Sequence, residues 1–497
     1  MQERLEELNP WWKGDFELDT MPREKYFSKL KELLPKKEVV ILTGIRRVGK
    51  TILIKQLIKQ LLKEVPAKNI LFLSLDLLYF KDYTIQDIVL EYKKMHKIQN
   101  EKVYLFLDEI TYKPFFNQEL KNLYDLGNYK IYASSSSAKA LKDKKAYLTG
   151  RARYIEIEPL DFDEYLVFRD YDKAKTAKIV LEKLFEEYMQ DGGMPEYVKT
   201  KNEVYLSELI EFIISKDIIA ENNIKNKQVV FDLYRLLCER VGKQVSYNNL
   251  SKILSIDNET VSRYVSYFLE TYLFDMIEVK DKLNVQIKSK KKLYCGDVGL
   301  RNIITGFKDR GAVYENLVYN KIKSDYKNPL FGGINFLYKD GVEIDFVTKD
   351  LLIEAKFGQE MNEKQKKLFD NYKIKMLEAA STYIEKNNKV LTIERESDKF
   401  KGFRSMPHGI VEEGELPEET AVRETFEETG YDIKVIRKIT EYYGKNDKGQ
   451  EVRIHIYEGK ILSGELKDEM NPEWISKDGL LKRKDVVPSL KKAINFI

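Results

Sequence analysis

The chain has 497 residues, with 85 Lys+Arg against 81 Asp+Glu and a formal net charge of +4; at roughly 150 residues per domain, that length predicts about three domains, or four small ones. The near-cancelling charge excludes a strong bulk pull towards nucleic acid or membrane, while 43% hydrophobic and 12% aromatic residues exclude a disordered chain. Two cysteines, Cys238 and Cys295, and no charged-then-apolar leader after Met1 exclude a disulfide scaffold and predict a cytoplasmic protein, and no apolar run approaches the ~20 residues of a membrane helix.

Residues 38–157 alternate β-branched and aromatic runs, at 39–42, 70–73, 103–107 and 130–133, with amphipathic helical stretches. That alternation predicts a parallel sheet covered on both faces. Between the first run and the helix expected at 52–62 stands Gly44-Ile45-Arg46-Arg47-Val48-Gly49-Lys50-Thr51. In a strand–loop–helix setting, the glycines Gly44 and Gly49 turn backbone N–H groups towards phosphates, Lys50 reaches the β/γ oxygens, and the Thr51 hydroxyl ligates Mg²⁺. The run 103–107 ends in Asp108-Glu109. Asp108 is placed to hold Mg²⁺ through Thr51, and Glu109 to orient or deprotonate the attacking water. The fourth run ends in Ser134-Ser135-Ser136-Ser137, where a γ-phosphate sensor would lie; the alternative for each serine is a helix cap. Arg151 is a candidate phosphate-sensing arginine, in cis or in trans, and a structural salt bridge is the alternative.

The order of Asn9-Pro10-Trp11-Trp12, Gly44 to Thr51, Leu107-Asp108-Glu109, Ser135-Ser136-Ser137-Ala138, Leu148-Thr149-Gly150-Arg151 and Pro159-Leu160-Asp161-Phe162 resembles the archaeal and bacterial AAA-type ATPase family that carries a C-terminal domain of unknown function. The likeness covers about residues 1–375 and implies ATP binding and hydrolysis. The serine run departs from the Thr-Gly-Ser usual in that family.

Residues 161–240 have helical periodicity, broken at Gly192-Gly193-Met194-Pro195, and read as a lid or connector. From 241 to 279 the pattern is short helix, turn, helix, then a strand at 273–277. This is winged-helix spacing, with Thr260, Ser262 and Arg263 exposed on the second helix. DNA contact and protein packing both remain open for it, because Arg263 is the one clear cation there. Further on, a helix at 314–322 and strands at 334–338, 343–347 and 351–357 carry Glu315, Asp345, Glu354 and Lys356. Asp, then Glu-x-Lys on the next strand, is a metal-dependent nuclease layout: the carboxylates hold Mg²⁺ and the lysine positions water. Ordinary charges on a surface strand pair are the alternative. The ATPase resemblance adds that its C-terminal domain is similar to that nuclease fold, which does not establish cleavage.

After the Lys-rich stretch 359–375, a strand at 390–393, an acidic loop and a helix at 417–428 form a separate module of about 120 residues. Gly409, Glu415, Arg423-Glu424, Glu427-Glu428 and Gly430 stand at the offsets of the Nudix box. Glu424, Glu427 and Glu428, at i, i+3 and i+4, share one helical face. Divalent cations would neutralise that charge and promote attack on a pyrophosphate. Val422 and Phe426 are expected to point from the opposite face into a core. The Gly409 carbonyl and Glu415 sit on the loop the metal needs nearby, and His408 is a candidate phosphate contact. The box, the strand 390–393, the loop 402–408 and Glu473-Trp474 are similar to the Nudix hydrolases, which split a nucleoside diphosphate linked to another group. Thr425 stands where that family has an aliphatic residue.

The expected architecture is therefore an α/β multidomain chain. It comprises a P-loop parallel-sheet ATPase core at 1–160, a helical lid at 161–240, a winged helix at 241–290 and a restriction-nuclease-like α/β domain at 291–375. A Nudix α/β/α sandwich follows at 376–497. The expected function is an ATP-binding, Mg²⁺-dependent ATPase fused to a hydrolase of nucleoside diphosphate derivatives. The alternative is a DNA-associated regulatory ATPase or nuclease-like protein joined, at Met376, to an independent Nudix enzyme.

Overall fold

The computed structural model describes the chain except for positions 15, 138–144, 327–332, 349–350, 359, 367, 369–376, 396–400, 413–414, 446–450, 468–469 and 497. It divides into two compact units. The first takes in 1–338, 345–349 and 353–360, and the second 339–344, 350–352 and 361–497. Among the described residues no helix is long and apolar enough to cross a membrane.

The first unit opens on a five-stranded sheet in the order β2 (Ile70–Ser74), β3 (Val103–Asp108), β4 (Tyr129–Ser134), β1 (Val39–Thr43), β5 (Ala152–Glu156). All its ladders are parallel. Its strands read as unbroken apolar runs because both faces are covered. Val40, Leu42, Phe72 and Phe106 enter one core, and Val39, Ile41, Leu71 and Leu105 the other. The fifth strand went unseen in the sequence: Ala-Arg-Tyr-Ile-Glu is a half-exposed edge without the apolar run of its neighbours. A parallel sheet brings every strand's carboxyl end to one edge, which gathers Gly44, Asp108 and Ser134.

The 161–240 region is helical, as expected, and includes an eight-residue π-helix, Ile213–Ala220. Its glycine break is a packing joint. A Cβ on Gly193 would stand 2.2 Å from the Leu160 carbonyl oxygen, and one on Gly299 2.0 Å from that of Asp191. Asp297 ties the joint by accepting the N–H groups of Gly193 (2.6 Å) and Leu300 (3.0 Å). Because the obstacle at Gly193 is backbone, the Gly193→Ala variant is expected to lose about 1–3 kcal/mol or more of stability, read as a lower denaturant midpoint.

The helices Tyr247–Leu254 and Asn258–Glu270 lead into β7 (Phe274–Val279) and the antiparallel β8 (Lys291–Cys295). These belong to a six-stranded sheet in the order β11 (Leu352–Ile353), β10 (Val342–Val347), β9 (Asn335–Lys339), β7, β8, β6 (Gln244–Val245). The strand expected over 351–357 is cut to two residues. Beyond it the backbone is taken by a side chain: Ala355 N–H donates to Asp345 Oδ2 at 3.0 Å.

The second unit has a sheet in the order β16 (His408–Ile410), β12 (Leu377–Tyr383), β18 (Glu451–Gly464), β17 (Tyr431–Lys445), with β12 and β18 parallel and the rest antiparallel. A second sheet joins β13 (Glu385–Lys386), β14 (Lys389–Glu394) and β15 (Arg404–Ser405), with β19 (Glu473–Ser476) against β14. The module's first strand is thus β12, ahead of the strand expected first, and Met376 lies outside the described residues.

The Pro417–Thr429 helix buries Thr420, Ala421, Thr425 and Thr429. Of the expected core face, Val422 packs against the buried cluster of Ile384, Leu391 and Ile433, while Phe426 is corrected: it is 49% exposed. Thr425 decides the rotation. Its hydroxyl bonds the Ala421 carbonyl and the buried Thr382 hydroxyl, so the threonine holds the position nearest the sheet and Phe426 is turned out, where Lys467 lies 5.1 Å from its ring.

Candidate functional site

The phosphate loop leaves β1 at Gly44 and enters the Lys50–Leu61 helix. Gly44 (φ +132°) passes so close to Ile157 that a Cβ would meet its carbonyl oxygen at 2.2 Å, and Gly49 (φ +105°) turns the chain into the helix. Lys50, 5% exposed, donates to the carbonyls of Gly44 (2.9 Å) and Ile45 (3.0 Å). Burial pushes its pKa down to about 8, against the pull of Glu109 and Asp108. The Thr51 hydroxyl donates to Asp108 Oδ2 at 2.7 Å and the Ser134 hydroxyl to Asp108 Oδ1. Burial raises the Asp108 pKa, and these two bonds oppose the rise. Glu109 adopts a left-handed conformation and receives the Ser136 hydroxyl at 3.1 Å. Gly44, Gly49, Lys50, Thr51, Asp108 and Glu109 are therefore brought to one cleft, with Ser134 and Ser136 fastened to the acidic pair.

Arg151 is not brought there. Its carbonyl accepts the N–H of Val39, at the start of β1, five residues from Gly44 and so about 17 Å of strand from the loop at ~3.3 Å per residue. Its side chain lies 3.5 Å from Asp125, so the assignment as a phosphate-binding arginine in cis is corrected to a surface ion pair. The arginine that sequence reasoning passed over is Arg46, which meets Asp217 of the π-helix in a bidentate pair at 2.9 and 2.9 Å. Nothing local in the sequence links positions 46 and 217.

In the second unit, Glu424, Glu427 and Glu428 do share one side of the Pro417–Thr429 helix. Arg423 reaches Glu415 (2.9 Å), Glu424 (2.7 Å) and Glu427 (3.4 Å), and its guanidinium holds Glu415 down at about 2. Glu428 accepts the His408 N–H at 2.8 Å. Burial raises its pKa to about 8, with the charges of Glu424 and Glu427 adding to the rise. His408's ring contacts Arg395, a residue the sequence reading did not single out.

A Cβ at Gly409 would stand 1.8 Å from Glu424 Oε1. The clash is with the movable end of a side chain, so Gly409→Ala is expected to leave folding intact and displace the carboxylate. Since a misplacement of about 1 Å can cost about 10²-fold in rate, kinetics beside an unchanged melting temperature check it.

Among the described residues no three His, Cys, Asp or Glu groups stand ready-made around a metal ion. The three glutamates nevertheless supply hard oxygen donors from one helical face. That donor set fits Mg²⁺. Thr51 and Asp108, already in contact, fit it as well.

The nuclease-like residues also converge, with an addition. Lys292 lies 2.8 Å from both Glu315 and Asp345, and Lys356 pairs with Glu354 at 2.7 Å. Burial raises the pKa of Glu315 and of Glu354.

Comparison with known proteins matches three domains along the chain. Residues 36–166 match the family model described as an AAA domain, residues 182–311 a domain of unknown function, and residues 376–495 the NUDIX domain. The chain joins an AAA-type ATPase domain to a NUDIX hydrolase domain, and it is an enzyme of nucleotide hydrolysis.

An uncharacterized protein of Methanocaldococcus jannaschii is 27% identical over 320 residues, covering 58% of this chain and 67% of that one. An ADP-ribose pyrophosphatase of the same organism is 39% identical over 92 residues, which are 18% of this chain and 53% of the relative. A solved NUDIX hydrolase from Nitrosomonas europaea is 21% identical, with 24% of this chain and 87% of that one covered and a TM-score of 0.22.

Proposed function

We propose that residues 376–497 are a Mg²⁺-dependent pyrophosphohydrolase of nucleoside diphosphate derivatives with an ADP-ribose-like substrate, and that residues 1–160 bind and hydrolyse ATP. The observation that carries the first part is the carboxylate face: Glu424, Glu427 and Glu428 with Gly409 against Glu424 and Arg423 bridging to Glu415. Glu424, Glu427, Glu428 and the Gly409 carbonyl would hold the ion, which supplies Lewis acidity for attack at phosphorus. Arg423 keeps Glu424 and Glu427 in place. Burial, with the charges of Glu424 and Glu427 beside it, favours the protonated form of Glu428, and a bound cation would favour its carboxylate. The relatives support ADP-ribose as the first compound to try.

In the first unit Gly44, Gly49 and Lys50 would cradle the phosphates, Thr51 and Asp108 hold Mg²⁺, and Glu109, steadied by Ser136, orient water. The region 161–240 is then the lid, 241–290 the winged helix and 291–375 the nuclease-like domain. A screen of nucleoside diphosphate derivatives with Mg²⁺ and the full chain tests the reading. Release of AMP and ribose 5-phosphate from ADP-ribose is expected, and turnover of no nucleoside diphosphate derivative would overturn it.

DNA contact through the winged helix is a second reading. It is supported by Lys288, Lys290 and Lys291, which line a cavity of about 470 Å³ with Asn248 and Asn258. An affinity that falls steeply with salt would confirm it, and none detectable at low salt would remove it.

A further inference from the structure

The carboxylates Glu315, Asp345 and Glu354 have the layout that a nuclease fold uses to hold a divalent metal. The positive charge among them belongs to the chain itself. Lys292, on β8, has a side chain 1% exposed, with its ammonium 2.8 Å from Glu315 Oε1 and 2.8 Å from Asp345 Oδ1. Strand alternation explains how it gets there: Lys292 and Tyr294 point to the same side of β8, and the Tyr294 hydroxyl also donates to Glu315 Oε1, at 2.7 Å.

The second oxygen of Asp345 and both oxygens of Glu354 are engaged too. Asp345 Oδ2 accepts the Ala355 N–H at 3.0 Å, and Glu354 Oε2 accepts the Asp345 N–H at 3.1 Å. Glu354 Oε1 is held by Lys356. A buried ammonium requires such partners, and neighbouring carboxylates require a cation between them. Each meets the other's need, and with Lys292 in place an ammonium fills the position between Glu315 and Asp345 that a metal ion would take.

We infer that Lys292 is the resident cation of this centre, standing where the nuclease fold would hold a metal ion, and that the module is a metal-independent scaffold. The ammonium joins β8, the Arg310–Tyr326 helix and β10. Lys356, engaged by Glu354, does not serve to position water.

Counting bound Mn²⁺ on the full-length, nucleotide-free chain by electron paramagnetic resonance tests this. Wild type and Glu354→Gln are expected to bind equal numbers of ions. Lys292→Ala is expected to bind one more per chain, and Lys292→Ala combined with Asp345→Asn to lose it again. Loss of one equivalent in Glu354→Gln would overturn the inference, as would a folded Lys292→Ala that binds no more than wild type. If Lys292→Ala does not fold, the comparison of wild type with Glu354→Gln decides.

Discussion

Replacing Glu427 by Gln is expected to lower pyrophosphate hydrolysis by about 10²–10⁴-fold, the range for losing a positioned group that acts in the transition state, and to leave ATP turnover unchanged. Glu427 is the cleanest of the three glutamates to test. Its side chain is 57% exposed and, among the described residues, paired with Arg423 at 3.4 Å, so the change removes a charge without opening a cavity. Glu428 is buried and bonded to the His408 backbone, and Glu424 packs against Gly409; substitution there mixes chemistry with packing. Parallel loss of both activities in Glu427→Gln would mean that the two sites act as one coupled machine. Steady-state rates for an ADP-ribose-type substrate and for ATP, measured on the same preparation, separate the outcomes.

Lys50→Ala should abolish nucleotide binding at the first site. Truncating one partner of a desolvated charge pair costs about 2–5 kcal/mol, which corresponds to roughly 30- to 4,000-fold in affinity. Lys50 also fastens the loop, through the Gly44 and Ile45 carbonyls, so the melting temperature must be followed alongside. A folded Lys50→Ala chain that binds ATP as wild type does would end the phosphate-cradle assignment. Pyrophosphate hydrolysis in this variant should stay at the wild-type level.

Both centres were legible because short stretches of sequence fix their geometry. Lys50 and Thr51 follow Gly49 directly, and i, i+3, i+4 spacing suffices to place Glu424, Glu427 and Glu428 together. What escaped was set by contacts far along the chain. Lys292 looks like the end of a solvated basic run, Lys288-Ser289-Lys290-Lys291-Lys292. Only the strand period, which groups it with Tyr294 rather than with Lys291, shows that it turns inward, and Glu315 and Asp345 are needed to say why. Arg151 has a plausible spacing from the serine run, yet the parallel ladder with β1 puts it at the wrong end of the sheet. Phe426 has the hydrophobicity of a core residue, and a buried hydroxyl pair between Thr425 and Thr382 turns it outward. Hydroxyl pairing across 43 positions leaves no periodic trace.

The joint at Gly193 and Gly299 bears on mechanics. Where two bodies meet through side chains, a push can be absorbed by rotamer changes. Here carbonyl oxygens sit where Cβ atoms would be, and Asp297 stitches the two backbones together. A contact of that kind has almost no compliance. A displacement of the Lys178–Asp191 helix would therefore press directly on the backbone of the Val298–Thr305 helix, with no side chain between them to yield.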